Sequence, residues 1–213
     1  MGDSIALLIA VVGLLPGQAS ASTTFELFGH DNGWSDIEKI DTTTGIPTTV
    51  DSTGIGSGAS GMATSRASTA TAIGTLASGT HFGLLRSGGV DKVVVVDTTT
   101  GAATIVVTTS RLIAGRGIGF GSDDATLFVI EGGAGPLSTI DLTTGMVTLV
   151  ANTGTGSVSL EWDPVSLTFL SISGTSLYSV TESGTSTLIG STGGGACTLT
   201  RDPGTGTWFT IIS

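Results

Sequence analysis

A short turn recurs along the chain, and it constrains the fold more than any other feature. The segments Ile40-Asp41-Thr42-Thr43-Thr44-Gly45, Val96-Asp97-Thr98-Thr99-Thr100-Gly101 and Ile140-Asp141-Leu142-Thr143-Thr144-Gly145 share one pattern. A shorter version stands at Val180-Thr181-Glu182-Ser183-Gly184. Aspartate opening a turn accepts hydrogen bonds from backbone N–H groups two or three residues on. Glycine closing it supplies the positive φ of a type I turn with a bulge, a common way to join antiparallel strands. The Ile or Val before each Asp therefore ends one strand. The β-branched runs that follow, at 47–50, 103–107, 147–150 and 186–189, begin its partner.

The turn glycines are 56, 44 and 39 residues apart. A second landmark precedes the later turns: Gly121-Ser122-Asp123-Asp124, Glu161-Trp162-Asp163-Pro164 and Thr200-Arg201-Asp202-Pro203, spaced by 40 and 39 residues. A short strand lies on each side of it. One unit therefore reads strand, Asp turn, strand, loop, strand, Thr-Thr-Gly turn, strand. Four antiparallel strands in about 40 residues is the content of one propeller blade. The expected fold is all-β: a β-propeller of four-stranded antiparallel blades, about four to five present, in an incomplete ring. Strands such as 92–96 and 127–130 are nearly all apolar, as expected where neighbouring blades cover both faces. The units are placed at about 24–56, 57–111, 112–156 and 157–194, with 195–213 partial, in a domain spanning 22–213. In the second unit, residues 66–69 are aligned with the first turn. Because the last unit supplies only two strands, the chain reads as part of a longer frame, with an unclosed edge at 207–212.

Composition removes several function classes. The formal net charge is −10, which disfavours a nucleic-acid binder needing a basic face. Charged residues make up 11%, against about 25% in ordinary domains. Mean hydropathy is +0.43, so the chain is not of the disordered type. Abundant Gly and Thr, without periodic Ala, Glu or Lys, make a helical protein unexpected.

Residues 5–15 form an unbroken apolar run, and Ala19-Ser20-Ala21 is a small-x-small triplet. Together they read as the core and cleavage site of a secretory leader covering 1–21. The run is too short to cross about 30 Å of hydrocarbon as a helix. A basic start is missing: Asp3 stands there, and the first Lys is Lys39. The alternative is a buried N-terminal helix or strand. The single Cys197 excludes an intrachain disulfide and reads as a small buried hydrophobe.

Asp163-Pro164, Asp202-Pro203-Gly204-Thr205-Gly206, Leu177-Tyr178-Ser179-Val180 and the Asp-x-Thr-Thr-Gly turns resemble those of secreted bacterial β-propeller repeat proteins with NHL- and YVTN-like blades. The resemblance covers about residues 24–213. It implies a blade architecture and leaves function open, since propellers host lactonases, lyases, quinoprotein dehydrogenases and plain binding platforms.

Candidate chemistry is sparse. His30 and His81 are 51 residues apart without a metal-ligand pattern, and both read as solvated loop histidines. The loop Asp31-Asn32-Gly33-Trp34-Ser35-Asp36 offers hard oxygens but lacks EF-hand spacing. Asp123-Asp124 reads as turn chemistry rather than a carboxylate dyad. Gly115-Arg116-Gly117-Ile118-Gly119 looks like a phosphate loop, but no helix follows it. Trp34, Trp162 and Trp208 do not share one repeat position, so no quinoprotein signature forms, and Trp162 and Trp208 are expected to pack blades. No residue is assigned as catalytic, cofactor-binding or metal-ligating, and no cofactor is implied. The expected function is an exported, non-enzymatic binding or scaffold module at the cell surface or outside the cell. It would present one propeller rim to a protein or glycan partner, with no nucleic acid and no membrane after leader cleavage. The alternatives are a lactonase-like hydrolase or lyase with a channel metal, and a structural protein self-assembling through the edge at 207–212.

Overall fold

The computed structural model describes residues 7–11, 27–30, 36–41, 44, 46–54, 59–133, 135–202 and 205–212. They form β-strands and no helix. After β1 (Leu7–Val11), a first sheet holds β2 (Leu27–His30), β3 (Asp36–Ile40) and β4 (Pro47–Ser52). The second comprises β5 (Ala59–Thr64), then, past the small hairpin β6 (Thr69–Thr71) and β7 (Gly74–Leu76), β8 (His81–Ser87), β9 (Val90–Val96) and β10 (Ala103–Thr108). The third is β11 (Gly115–Phe120), β12 (Leu127–Glu131), β13 (Pro136–Ile140) and β14 (Val147–Asn152). The fourth is β15 (Glu161–Asp163), β16 (Thr168–Ser173), β17 (Ser176–Val180) and β18 (Ser186–Ser191). The fifth pairs β19 (Ala196–Arg201) with β20 (Trp208–Ile212). All pairings are antiparallel, and β5, β11, β15 and β19 lie side by side as inner strands. This is a β-propeller array, and among the described residues it is an open arc.

Side-chain alternation explains the stacking. In β12, Leu127 and Val129 join a cluster with Phe82, Leu84 and Val93 of the second sheet. Phe128 and Ile130 point the other way, to Trp162, Phe169 and Val180 of the fourth. All five β12 residues are buried, so a continuous apolar strand is what a blade with two covered faces requires.

The turns behave as the sequence implies. Asp97 Oδ1 accepts from the N–H groups of Thr99 (2.8 Å) and Thr100 (3.1 Å). Asp141 Oδ1 does the same for Thr143 (2.7 Å) and Thr144 (3.0 Å). Gly101 and Gly145 have φ of +74° and +75°. These glycines also form the seams between blades. A Cβ on Gly101 would lie 2.6 Å from the Asp51 carbonyl oxygen at the end of the preceding blade's outer strand. Gly145 abuts Thr108 and Gly184 abuts Ala151 in the same way. Each outer strand also carries a register shift around the fifth residue after the turn glycine: Val50, Val106, Val150 and Ile189. Bulges of this kind bend an outer strand away from unwanted pairing.

Three expectations need correction. Residues 66–69 are not a plain turn: they lead into the β6–β7 hairpin, whose added length accounts for the 56-residue spacing. The short strand expected before Asp163-Pro164 is only the three residues of β15, because serine side chains take part in the ladder upstream of it. Ile172 N–H donates to Ser159 Oγ (3.2 Å), and Ser171 Oγ donates to the Ser159 carbonyl (2.6 Å). The glycines of 115–119 belong to inner strand β11, where a Cβ on Gly117 would come within 2.6 Å of Leu160 N. They permit close approach of two inner strands. Finally, the edge expected to be open at 207–212 is covered while residues 7–11 are present: β20 pairs on its second side with β1, from Leu7↔Ile212 to Val11↔Trp208, and removal of a leader covering 1–21 would expose it.

Candidate functional site

The first turn of each blade, between inner and second strand, and the Thr-Thr-Gly turn emerge on one rim. Ser122, in the first turn of the third blade, shows this by donating from its N–H (2.6 Å) and hydroxyl (3.1 Å) to Glu182 in the Thr-Thr-Gly position of the fourth. The β6–β7 hairpin is fastened to the same rim through Ala72 N–H and the Leu142 carbonyl (2.9 Å). Its tip residue Ile73 is 49% exposed.

Charged side chains from four blades gather where the inner strands end. Arg66, at the base of the hairpin, reaches into the third blade. It pairs with Asp124 and donates from Nη2 to the Gly121 carbonyl (2.6 Å). Arg201, ending β19, lies 3.9 Å from Asp163 of β15. Glu161, two residues before Asp163, lies in the field of both arginines. Desolvation pushes its carboxyl up to about 7, and the two guanidiniums oppose that rise. The residue is only partly covered, and its carboxyl oxygens reach solvent. Among the described residues, the side chains of Glu161 and Arg201 make no hydrogen bond.

The other carboxylates of this rim are engaged in holding backbone. Asp123 Oδ1 accepts from Ala125 N–H (3.0 Å) and Thr126 N–H (2.8 Å). Burial raises its pKa, but the hydrogen bonds from Thr126 and Ala125 outweigh that and leave it below the ordinary value. Asp163 accepts from the N–H groups of Val165 (3.1 Å) and Ser166 (3.2 Å). Away from this rim, Asp91 is fully buried and holds Arg86 Nε (3.0 Å), Ile113 N–H (2.7 Å) and Ala114 N–H (3.1 Å). Glu131 takes both terminal nitrogens of Arg111 and the Ser138 hydroxyl. These carboxylates are saturated, and Glu161 is not.

The residues singled out in the sequence do not converge. His30 ends β2 opposite Ile37 rather than standing in a turn. His81 is not a loop residue either: it begins β8, its Nδ1 is 2.9 Å from Thr64 Oγ1, and its ring lies 5.8 Å from that of Phe28. Residues 31–35, including Trp34, lie outside the described residues, and Asp36 opens β3. Asp123 and Asp124 part company, one capping its turn and the other pairing with Arg66. Trp162 is buried edge-on to Phe169 (centroids 5.1 Å apart), and Trp208 is half-buried on β20. Cys197 lies on β19. Among the described residues no group of three or more His, Cys, Asp or Glu is placed to hold a metal ion.

Sequence reasoning missed Arg66, Glu161 and Arg201; the available signal was charge inside or beside otherwise apolar and small inner strands. It also missed a Thr eight residues after each turn glycine, at 53, 109, 153 and 192. Thr109 Oγ1 donates to the Asp91 carbonyl (2.9 Å) and Thr153 Oγ1 to that of Gly135 (2.7 Å), tying each outer strand's exit to a neighbouring loop.

No protein-family model matches the chain, and no curated protein matches it. Solved structures do. A Bacteroides thetaiotaomicron protein of unknown function superposes with a TM-score of 0.60 at 15% identity, covering 88% of this chain and 50% of that one. A gluconolactonase from Xanthomonas campestris gives 0.56 at 14% identity, with coverages of 88% and 69%. A chain of a nidogen–laminin complex gives 0.51 at 15% identity, with coverages of 79% and 61%. The chain thus spans half to two thirds of these proteins' lengths. At such identities the likeness shows the fold, a β-propeller, and its neighbours include both a binding module and a lactonase.

Proposed function

We propose that the chain is an exported, non-enzymatic binding or scaffold module, presenting its hairpin-bearing rim to a protein or glycan partner. The rim carries this reading. The one insertion in the repeat, β6–β7, is fixed to it by Ala72 and Arg66, and charges from four blades surround an unsaturated carboxyl there. Of the other rim carboxylates, Asp123 and Asp163 hold turns and Asp124 pairs with Arg66. The apolar run and small-x-small triplet near the N-terminus support export.

Glu161 favours a second reading, a lactonase-like hydrolase or lyase, because a carboxyl titrating near 7 is suited to general acid–base work. One experiment separates the two. The full chain is expressed with its own N-terminus, the mature mass is measured, and binding to extracellular protein and polysaccharide coats is titrated. Gluconolactone hydrolysis is followed in parallel with Ca²⁺, Mn²⁺ or Zn²⁺. A mass starting at Ser22 and saturable binding weakened by Ile73→Asp support the module. Metal-dependent turnover abolished by Glu161→Gln replaces it with the enzyme.

A further inference from the structure

The junction of the fourth and fifth blades places a solvent-reachable carboxyl, Glu161, near a solvent-reachable guanidinium, Arg201. Among the described residues the Glu161 carboxyl accepts no hydrogen bond and the Arg201 guanidinium donates none, and the two do not form an ion pair with each other. Both are partly buried, their unbonded oxygens and nitrogens reach solvent, and Arg201 has a long contact with Asp163 (3.9 Å), so both groups are within reach of a ligand. Arg66 uses Nε and Nη2 on the third blade and has its third nitrogen left over.

The local charges select the kind of molecule that would fit. An anion drawn to Arg66 and Arg201 meets Glu161, Asp163 and Asp124, and a cation drawn to the carboxylates meets the guanidiniums. A neutral group that donates and accepts from adjacent atoms satisfies both sides, and each hydroxyl does so with one hydrogen and two lone pairs. Trp208 supplies a second, independent indication. It is the cross-strand partner of Arg201 in the β19–β20 register, so the two side chains share one face of the sheet. Its indole is half-buried, offering an apolar ring next to the polar pair.

We propose that Glu161, Arg201 and Trp208, flanked by Arg66, form a subsite for vicinal hydroxyls of a neutral sugar. One hydroxyl donates to the Glu161 carboxylate, its neighbour accepts from Arg201, and the sugar's C–H face covers Trp208. This rests on the reading of the rim as a binding surface and names the chemistry of its partner.

The test titrates the full chain against neutral gluco-, manno- and galacto-oligosaccharides and a uronate oligosaccharide by calorimetry. Thermal melts of each variant verify folding. At least one neutral sugar is expected to bind, the uronate more weakly, with Glu161→Gln and Arg201→Lys each weakening binding by about tenfold or more. Trp208→Phe retains part of the affinity. No neutral sugar bound, uronate preferred, or affinity unchanged in both folded Glu161→Gln and Arg201→Lys overturns the subsite. If binding to a protein coat persists and still depends on Ile73, the rim reading survives and only the sugar assignment falls. Loss of that dependence removes the rim reading itself.

Discussion

The junction of the second and third blades and that of the fourth and fifth use the same strands of the repeat for different ends. In the former, Phe82, Leu84 and Val93 meet Ile118, Phe120 and Leu127, all buried, with Phe82 and Phe120 edge-on at 5.2 Å. In the latter, Glu161 and Asp163 face Arg201. None of the three apolar clusters reaches the fifth sheet among the described residues. The two sides of β15 hold the contrast within three residues: Trp162 packs toward the third blade, and the carboxylates beside it do not. Where a seam is dry and apolar it serves cohesion. Where charged groups stay within reach of solvent and only loosely paired, cohesion is given up for a surface that can engage something else.

The largest expected effect tests the dry seam. Phe82→Ala removes a fully buried ring and should cost about 3–5 kcal/mol in urea unfolding, with little pH dependence. A loss below about 1 kcal/mol would erase the contrast.

Glu161→Gln probes the charged seam, and its sign is opposite. The folded-state pKa of Glu161 is raised from 4.5 to about 7. Its contribution is therefore fully present below 4.5 and lost as pH rises through about 7. The variant should match the parent at pH 4 and exceed it at pH 8.5. The gain is at most on the order of 3 kcal/mol, and partial exposure of the residue reduces it. Equal unfolding midpoints at both pH values would show that the carboxyl is well solvated.

Gly101→Ala attacks the apolar half of the array through the backbone, at the seam between the first and second blades. At φ +74°, with the Asp51 carbonyl 2.6 Å from the new Cβ, it should lose about 2 kcal/mol or more. Gly88→Ala, also at positive φ but with open space around it, isolates the conformational part and should lose less. Thr153→Val is the mildest. Losing the bond to the Gly135 carbonyl should cost about 1 kcal/mol, and hydrogen exchange should quicken where β14 leaves its sheet.

The blades were legible in the sequence because their information is local. Aspartate, two threonines and glycine within five residues dictate a turn, and uniformly apolar strands such as β12 report two covered faces. The β6–β7 hairpin was not legible: Thr69-Ala70-Thr71 and Gly74-Thr75-Leu76 are too short and plain to show a period. The Arg66, Glu161 and Arg201 cluster was hidden for another reason. Its members come from three blades, and only the curvature of the array brings them together. The threonines at 53, 109, 153 and 192 occupied an intermediate position. Their spacing was visible, but a small polar residue gains meaning only when the carbonyl it binds is known.

The glycine seams carry a consequence for how such a chain can change over generations. Gly101, Gly145 and Gly184 each meet the end of the preceding outer strand, so the second, third and fourth units offer similar sockets and plugs. Duplicating or deleting one unit leaves the remaining couplings intact. Repeat number can then drift by recombination, while Arg66, Glu161 and Arg201, each present once, tie the rim's chemistry to one particular order of units.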